Sequence, residues 1–172
     1  VERSARLKLG DPLDEQTELG PVITDQAAQR IDAWVNEAAQ AGAAVLSGNR
    51  REGRMMQATV LTGVKDDMRV MREEVFGPVV NILPFDDFDS ALTAVDSSPF
   101  GLQAGIFTRD LNRAMSAVQK LNVGGVILND APTFRVDHMP YGGNKDSGIG
   151  REGPRFAIED MTTLKMVVMN PA

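Results

Sequence analysis

Between Val79 and Leu128, short apolar runs alternate with amphipathic stretches, and this rhythm narrows the possible folds more than any other feature of the chain. Val79–Phe85 reads as a strand. A helix follows from about Asp87 to Asp96, with Phe88, Ala91, Leu92 and Val95 on one face. Ala104–Thr108 reads as a second strand. Asp110 then caps a helix that reaches about Leu121 and turns Leu111, Ala114, Met115 and Val118 inward. Val123–Leu128 is a third, wholly apolar strand. Strand, helix, strand, helix, strand with short links predicts right-handed βαβ units and an α/β fold, a mostly parallel open sheet with flanking helices. Strands that are near-continuous apolar runs are expected where both sheet faces are covered.

The first half fits the same class less regularly. Residues 1–9 read as the tail of a helix, closed by Gly10 and Pro12. A chain that opens on the end of a helix, at Val1 without an initiator Met, is expected to be a processed, excised or trimmed product with further sequence upstream. Residues 11–23 form a polar loop. Thr24 can cap a helix over about 25–41, with Asp25 favourable in its first turn and Ala27, Ile31, Trp34, Val35 and Ala38 on the buried face. Gly42 ends it. Ala44–Leu46 is a short strand, Ser47–Gly53 a turn and Ala58–Leu61 another strand.

Composition removes several classes of function. The 172 residues predict one domain, long enough to bury a core without staples. A net charge of −6 argues against nucleic acid as a partner, because phosphates call for a surplus of Lys and Arg. No Cys is present, which excludes disulfides, a thiolate zinc site and a cysteine nucleophile within this chain. The one His leaves little room for a metal site or a Ser-His-Asp triad, so no metal is expected. No run approaches the roughly 18 apolar residues of a membrane span, and no secretory leader is visible. The expectation is a cytoplasmic protein with no membrane partner.

Chemistry is concentrated in two places. Glu73-Glu74-Val75-Phe76-Gly77-Pro78 directly precedes a strand. It can be a polar clamp, with a carboxylate accepting ribose hydroxyls and a ring walling off a planar base, or a solvated loop with a buried Phe. Residues 131–153 form a long loop rich in Gly, Pro and charge, and loops of that length are usually functional. Within it His138 is a general base or a surface residue, and Arg135 is an anion contact or a surface charge. Gly148–Gly153 matches G-x-G-x-x-G, but it neither follows a strand nor has room for the rest of a dinucleotide fingerprint, so a tight structural loop is expected. Met115, Met161, Met166 and Met169 read as core and edge packing. A short helix near 154–160 and a final strand, Thr162–Met169, complete the chain. That strand has no sequence neighbour to pair with, and such an edge calls for another chain or domain.

Four segments, LGDPLDEQTELGPVIT, REEVFGPVV, NRAMSAVQKLNVGGVILND and MPYGGNKDSGIGREGPRFAIEDMT, resemble in order and spacing the C-terminal part of the NAD(P)-dependent aldehyde dehydrogenases. The match covers essentially the whole chain, and EEVFGP together with YGG-K-SG-GRE is highly specific. The resemblance implies that residues 1–153 are the C-terminal part of the α/β catalytic domain, and that 154–172 are a short helix and an oligomerisation strand.

It also implies roles for particular residues. Glu74 would bind the nicotinamide ribose hydroxyls of NAD or NADP, and Phe76 would pack by the nicotinamide. Asn129, Arg135 and His138 would line the entrance for a small-molecule aldehyde. The strand Thr162–Met169 would bridge subunits of a homo-oligomer. The family's Cys nucleophile, oxyanion-holding Asn and general-base Glu all lie before the matched segment, so no catalytic residue is carried over to this chain, and the piece alone is expected to be inactive. FRVDHMPYGG resembles the branch that holds lactaldehyde, semialdehyde and non-phosphorylating glyceraldehyde-3-phosphate dehydrogenases, and Arg135 would suit a small polar or anionic aldehyde. Two other classes fit the residues: a non-catalytic assembly module on the same fold, and a binder of a nucleotide-like ligand through Glu74 and Phe76.

Overall fold

A short helix, α1 (Glu2–Ala5), opens the chain, and Leu9 and Leu19 meet further on as an isolated parallel bridge. The computed structural model describes residues 1–171, which fall into two units that divide between Pro84 and Phe85.

In the first unit α2 (Asp25–Gln40) starts where its cap places it: the Thr24 hydroxyl oxygen accepts a hydrogen bond from the Ala27 N–H at 3.0 Å. Its buried stripe is Ala28, Ile31, Val35 and Ala38. Ala27 and Trp34 are only half-buried, so the expected face is correct apart from a small rotation towards Ala28. Three strands form a mixed sheet in the order β1 (Ala44–Ser47), β4 (Thr59–Thr62), β5 (Val79–Ile82). The first pair is antiparallel, with an irregularity between Val45 and Ser47, and the second is parallel. The expected turn over Ser47–Gly53 contains β2 (Arg51–Glu52), which pairs with β3 (Met55–Met56) in a hairpin too short and polar to leave a periodic signal. A four-residue helix, α3 (Arg69–Arg72), leads towards β5. Ile31 and Leu61, both fully buried, centre a core completed by Val35, Met56, Met68 and Val70. Each such aliphatic side chain contributes roughly 1.5–3 kcal/mol on burial.

In the second unit the Asp87 carboxylate accepts from the Ser90 N–H and caps α4 (Phe88–Asp96), while that of Asp110 accepts from Asn112 and Arg113 and caps α5 (Leu111–Lys120). Between them lie β6 (Phe100–Gly101) and β7 (Gln103–Ile106), and β8 (Gly125–Leu128) follows α5. β7 and β8 pair in parallel, from Gln103 with Gly125 to Ile106 with Leu128, so the strand–helix–strand unit expected here is present. β6 pairs antiparallel with β9 (Asn144–Lys145), and α6 (Pro154–Met161) comes last. Leu92, Ala104, Ala117 and Leu121 form the core, with Phe88, Ile106, Val123 and Val126 packed on it.

Several expectations need correction. α5 buries Ala114 and Ala117, while Leu111, Met115 and Val118 are exposed. Small side chains let a helix approach its neighbours closely, and the larger apolar residues lie on the other edge of a broad stripe. Val95 is likewise exposed on α4. β5 is not covered on both faces, because Val80 and Ile82 are exposed. The buried methionines are Met56 and Met68, whereas Met115, Met161, Met166 and Met169 are exposed. Residues 162–171 carry no regular secondary structure in this single chain, where the expected strand Thr162–Met169 has no partner to satisfy its backbone groups. The fold is α/β with open sheets, realised as a three-stranded mixed sheet, a parallel pair and two small antiparallel pairs.

Candidate functional site

In the first unit the loop Glu73–Pro78 joins α3 to β5 and is held from α2. Arg30 donates from Nη2 to the Val75 carbonyl at 2.7 Å and from Nη1 to that of Glu74 at 3.4 Å. The Arg30 guanidinium also lies 4.5 Å from the Trp34 ring centroid, a cation–π contact that fixes its position. Arg69 lies 5.4 Å from the same ring and ion-pairs with Glu37. That hydrogen bond holds the Glu37 carboxyl below its usual range and raises the Arg69 guanidinium.

A helix residue thus pins the backbone on which Glu74 and Phe76 are carried. Phe76 sits at φ +51, a conformation uncommon for an aromatic residue, and the residue is 68% exposed. Gly77 is required beside it, because a Cβ there would run into Ile31. Phe76, Gly77 and Pro78 line an open, mainly apolar cleft of about 490 Å³ with Leu19, Pro21, Val22 and Ile23. The Glu74 side chain is exposed and makes no hydrogen bond among the described residues. The alternative of a buried Phe is excluded. An aromatic face, an apolar cleft and an unengaged carboxylate suit a planar ring carried on a sugar with free hydroxyls. A larger cleft, about 920 Å³ among Gly10, Pro12, Arg50, Arg51 and Arg54, includes none of the expected residues.

In the second unit the long loop follows β8 directly. Asn129 sits at φ +60, and its Oδ1 accepts from the Thr108 N–H at 2.9 Å. The side chain therefore shapes the strand end as an internal bond, and the left-handed conformation is one Asn tolerates. From β7, Gln103 donates through Nε2 to the Pro132 carbonyl at 2.6 Å and the Phe134 carbonyl at 3.3 Å. Gly153, at φ +119, backs the loop from the far side, where a Cβ would strike the Met139 carbonyl.

Arg135 is anchored twice: Nη2 donates to Glu152 Oε2 at 2.9 Å, and the guanidinium lies 4.5 Å from the Tyr141 ring centroid. Tyr141 and Glu152 are themselves joined as an isolated antiparallel bridge, with backbone N–H to carbonyl distances of 3.2 and 2.6 Å. His138 is exposed at the turn 137–139. Asn129, Arg135 and His138 thus share one loop and its strand end. Glu74 and Phe76 belong to the other unit's loop. Arg30, Gln103 and Glu152 carry these loops and escape a sequence reading, since their partners lie 17 to 45 positions away, while Tyr141 acts through its ring face and a backbone bridge that residue type does not signal.

The segment 148–153 is a tight loop, with Gly148, Gly150 and Gly153 at positive φ. Arg151 donates to the Gly143 and Gly150 carbonyls at 3.0 and 2.7 Å and to Asn144 Oδ1 at 2.5 Å, which ties the loop to its neighbours. Among the described residues no group of His, Cys, Asp and Glu is placed to hold a metal ion, and no helix is long and apolar enough to cross a membrane.

The sequence profile of the aldehyde dehydrogenase family matches residues 1–167. The chain is 50% identical over 169 residues to the 3-sulfolactaldehyde dehydrogenase of Priestia megaterium, covering 98% of this chain and 35% of that protein. It is 44% identical over 170 residues to the lactaldehyde dehydrogenase of Methanococcus vannielii, covering 99% and 36%. Its fold matches the crystal structure of aldehyde dehydrogenase 21 from Physcomitrella patens in complex with the reaction product succinate, with a TM-score of 0.91 at 46% identity over 93% of this chain and 33% of that one. Glyceraldehyde-3-phosphate dehydrogenase from Methanocaldococcus jannaschii complexed with NADP gives a TM-score of 0.91 at 35% identity, over 95% and 36%. The chain spans about a third of the length of these relatives. With a family match over nearly every residue and a shared fold, the chain belongs to the aldehyde dehydrogenase family.

Proposed function

We propose that this chain is part of an NAD(P)-dependent enzyme that oxidises a small polar or anionic aldehyde to the carboxylic acid. Residues 1–153 would contribute to the catalytic domain, and 154–172 would supply the helix and strand that join protomers of a homo-oligomer in the cytoplasm. Glu74 and Phe76 are the cofactor contacts of this reading. The nicotinamide dinucleotide, when bound, accepts hydride from the substrate. The exposed Phe76 ring beside an apolar cleft fits its ring, and the free Glu74 carboxylate fits the ribose hydroxyls next to it. Nothing among the described residues is matched to the adenosine end.

Asn129, Arg135 and His138 are the substrate-side residues. The observation that carries the choice of aldehyde is Arg135. One of its nitrogens is committed to Glu152, its face rests on Tyr141, and the rest of its fork has no partner among the described residues. A half-exposed guanidinium held in this way can recognise a carboxylate, sulfonate or phosphate carried by a short aldehyde. Relatives named for sulfolactaldehyde and lactaldehyde support a small polar substrate.

The test is NADH or NADPH formation from a panel of short aldehydes, with the full-length gene product and with this chain alone. Turnover by the full-length protein and none by the chain is expected. Turnover by the chain alone would overturn the assignment of the catalytic residues to sequence outside it.

A further inference from the structure

We infer that Glu152 and Tyr141 are specificity-determining positioning residues for Arg135, acting on it with opposite sign. This rests on the reading of Arg135 as the contact for the anionic end of the substrate. The two partners come as one unit. The Tyr141–Glu152 backbone bridge sets the ring and the carboxylate side by side, and Arg135 closes on both, with Nη2 2.9 Å from Glu152 Oε2 and its guanidinium 4.5 Å from the ring centroid. Arg151, the residue between Gly150 and Glu152, is tied to the Gly143 and Gly150 carbonyls and to Asn144, so the segment that carries Glu152 is held from the residue beside it. The bridge is therefore a fixed seat and Arg135 the adjustable part.

The ring and the carboxylate do different things. Tyr141 offers a π face that orients the guanidinium without neutralising it, leaving full charge for an incoming anion. Glu152 is itself an anion on the same fork, so it competes with the substrate's anionic group for the positive charge. It moderates the affinity and keeps the fork from holding the product carboxylate too tightly. The Arg135 and Glu152 side chains are 47% and 65% exposed, so the competition is modest in size.

The experiment uses the full-length enzyme and two aldehydes built on the same four-carbon chain, succinic semialdehyde and its uncharged methyl ester. Glu152→Gln keeps an acceptor oxygen for Nη2 and removes the charge. It should lower KM for the semialdehyde about two- to fivefold relative to the ester, the scale of a half-exposed ion pair. Tyr141→Leu keeps bulk and removes the π face, and should shift the same ratio the opposite way. Arg135→Gln should abolish the preference for the charged aldehyde.

If Arg135→Gln acts selectively while Glu152→Gln and Tyr141→Leu move both aldehydes equally, the positioning roles are wrong and the substrate reading stands. If Arg135→Gln leaves the ratio unchanged, the substrate reading fails and the positioning roles fail with it. The inhibition constant of succinate provides a second measure of the same ratio should Tyr141→Leu express poorly.

Discussion

The Lys145 ammonium donates to the Asp96 carboxylate at 3.1 Å and, from the same Nζ, to the Asp96 and Ser98 carbonyls at 2.6 and 3.2 Å. Three acceptors at the C-terminal end of α4 converge on one cation, which is where the helix dipole favours positive charge. Asp96 in turn accepts from the Asn122 N–H at 2.7 Å, just after α5. Lys145 pays for this with a left-handed backbone, φ +54, unusual outside glycine. The contact ties the ends of both helices to β9 and so sets the start of the segment that leads to Glu152.

Removing the cation should therefore loosen more than one element. Lys145→Met keeps the stem and deletes the donor, leaving two half-buried carbonyls short of a partner. The melting temperature should fall by roughly 4–8 °C, measured by far-ultraviolet circular dichroism. A change within 1 °C, on the order of measurement error, would mean that water replaces the ammonium at no cost.

The same contact gives a dependence on acid. The Asn122 N–H, followed by Lys145, holds the Asp96 carboxyl below its ordinary range. A depressed folded value means that its stabilisation is fully present above the unfolded carboxylate value of about 4 and is lost as pH falls through the folded one. Urea titrations should show this part of the stability unchanged from pH 7 down to about 5 and eroding below about 4. In Asp96→Asn the low-pH slope should be shallower; an identical slope would remove Asp96 from the acid response.

At the start of α2, Thr24→Ala removes the acceptor for the Ala27 N–H. The expected cost is about 1 kcal/mol, read as a lower urea midpoint with an unchanged m-value.

Arg30→Leu tests the support of the Glu73–Pro78 loop. Without the bond to the Val75 carbonyl, amides of residues 73–77 should exchange about tenfold faster, while those of β4 stay protected. Equal acceleration in both would show that Arg30 supports the whole unit and not the loop.

The helices and the parallel pair β7–β8 were legible because caps and periodicity are local: Thr24, Asp87 and Asp110 each act within three residues of themselves. The orientation of α5 was not legible, because Leu111, Ala114, Met115, Ala117 and Val118 make a stripe too broad to indicate its centre, and only the neighbouring strands select the alanines. At the site, residue types left EEVFGP open, the resemblance singled out Glu74 and Phe76 within it, and the long loop offered Arg135. What holds them did not show, since Arg30 and Gln103 reach backbone carbonyls that every residue possesses.

Leu164, Met166, Val167, Val168 and Met169 lie fully or mostly open to solvent on a segment with no regular structure. Water solvates such a ribbon poorly, and its unpaired backbone offers a template to any strand edge it meets. A purified preparation of this chain should accordingly be a concentration-limited solute, clear when dilute and prone to ordered precipitation when concentrated, with Lys165 the one charge inside the ribbon to slow the process.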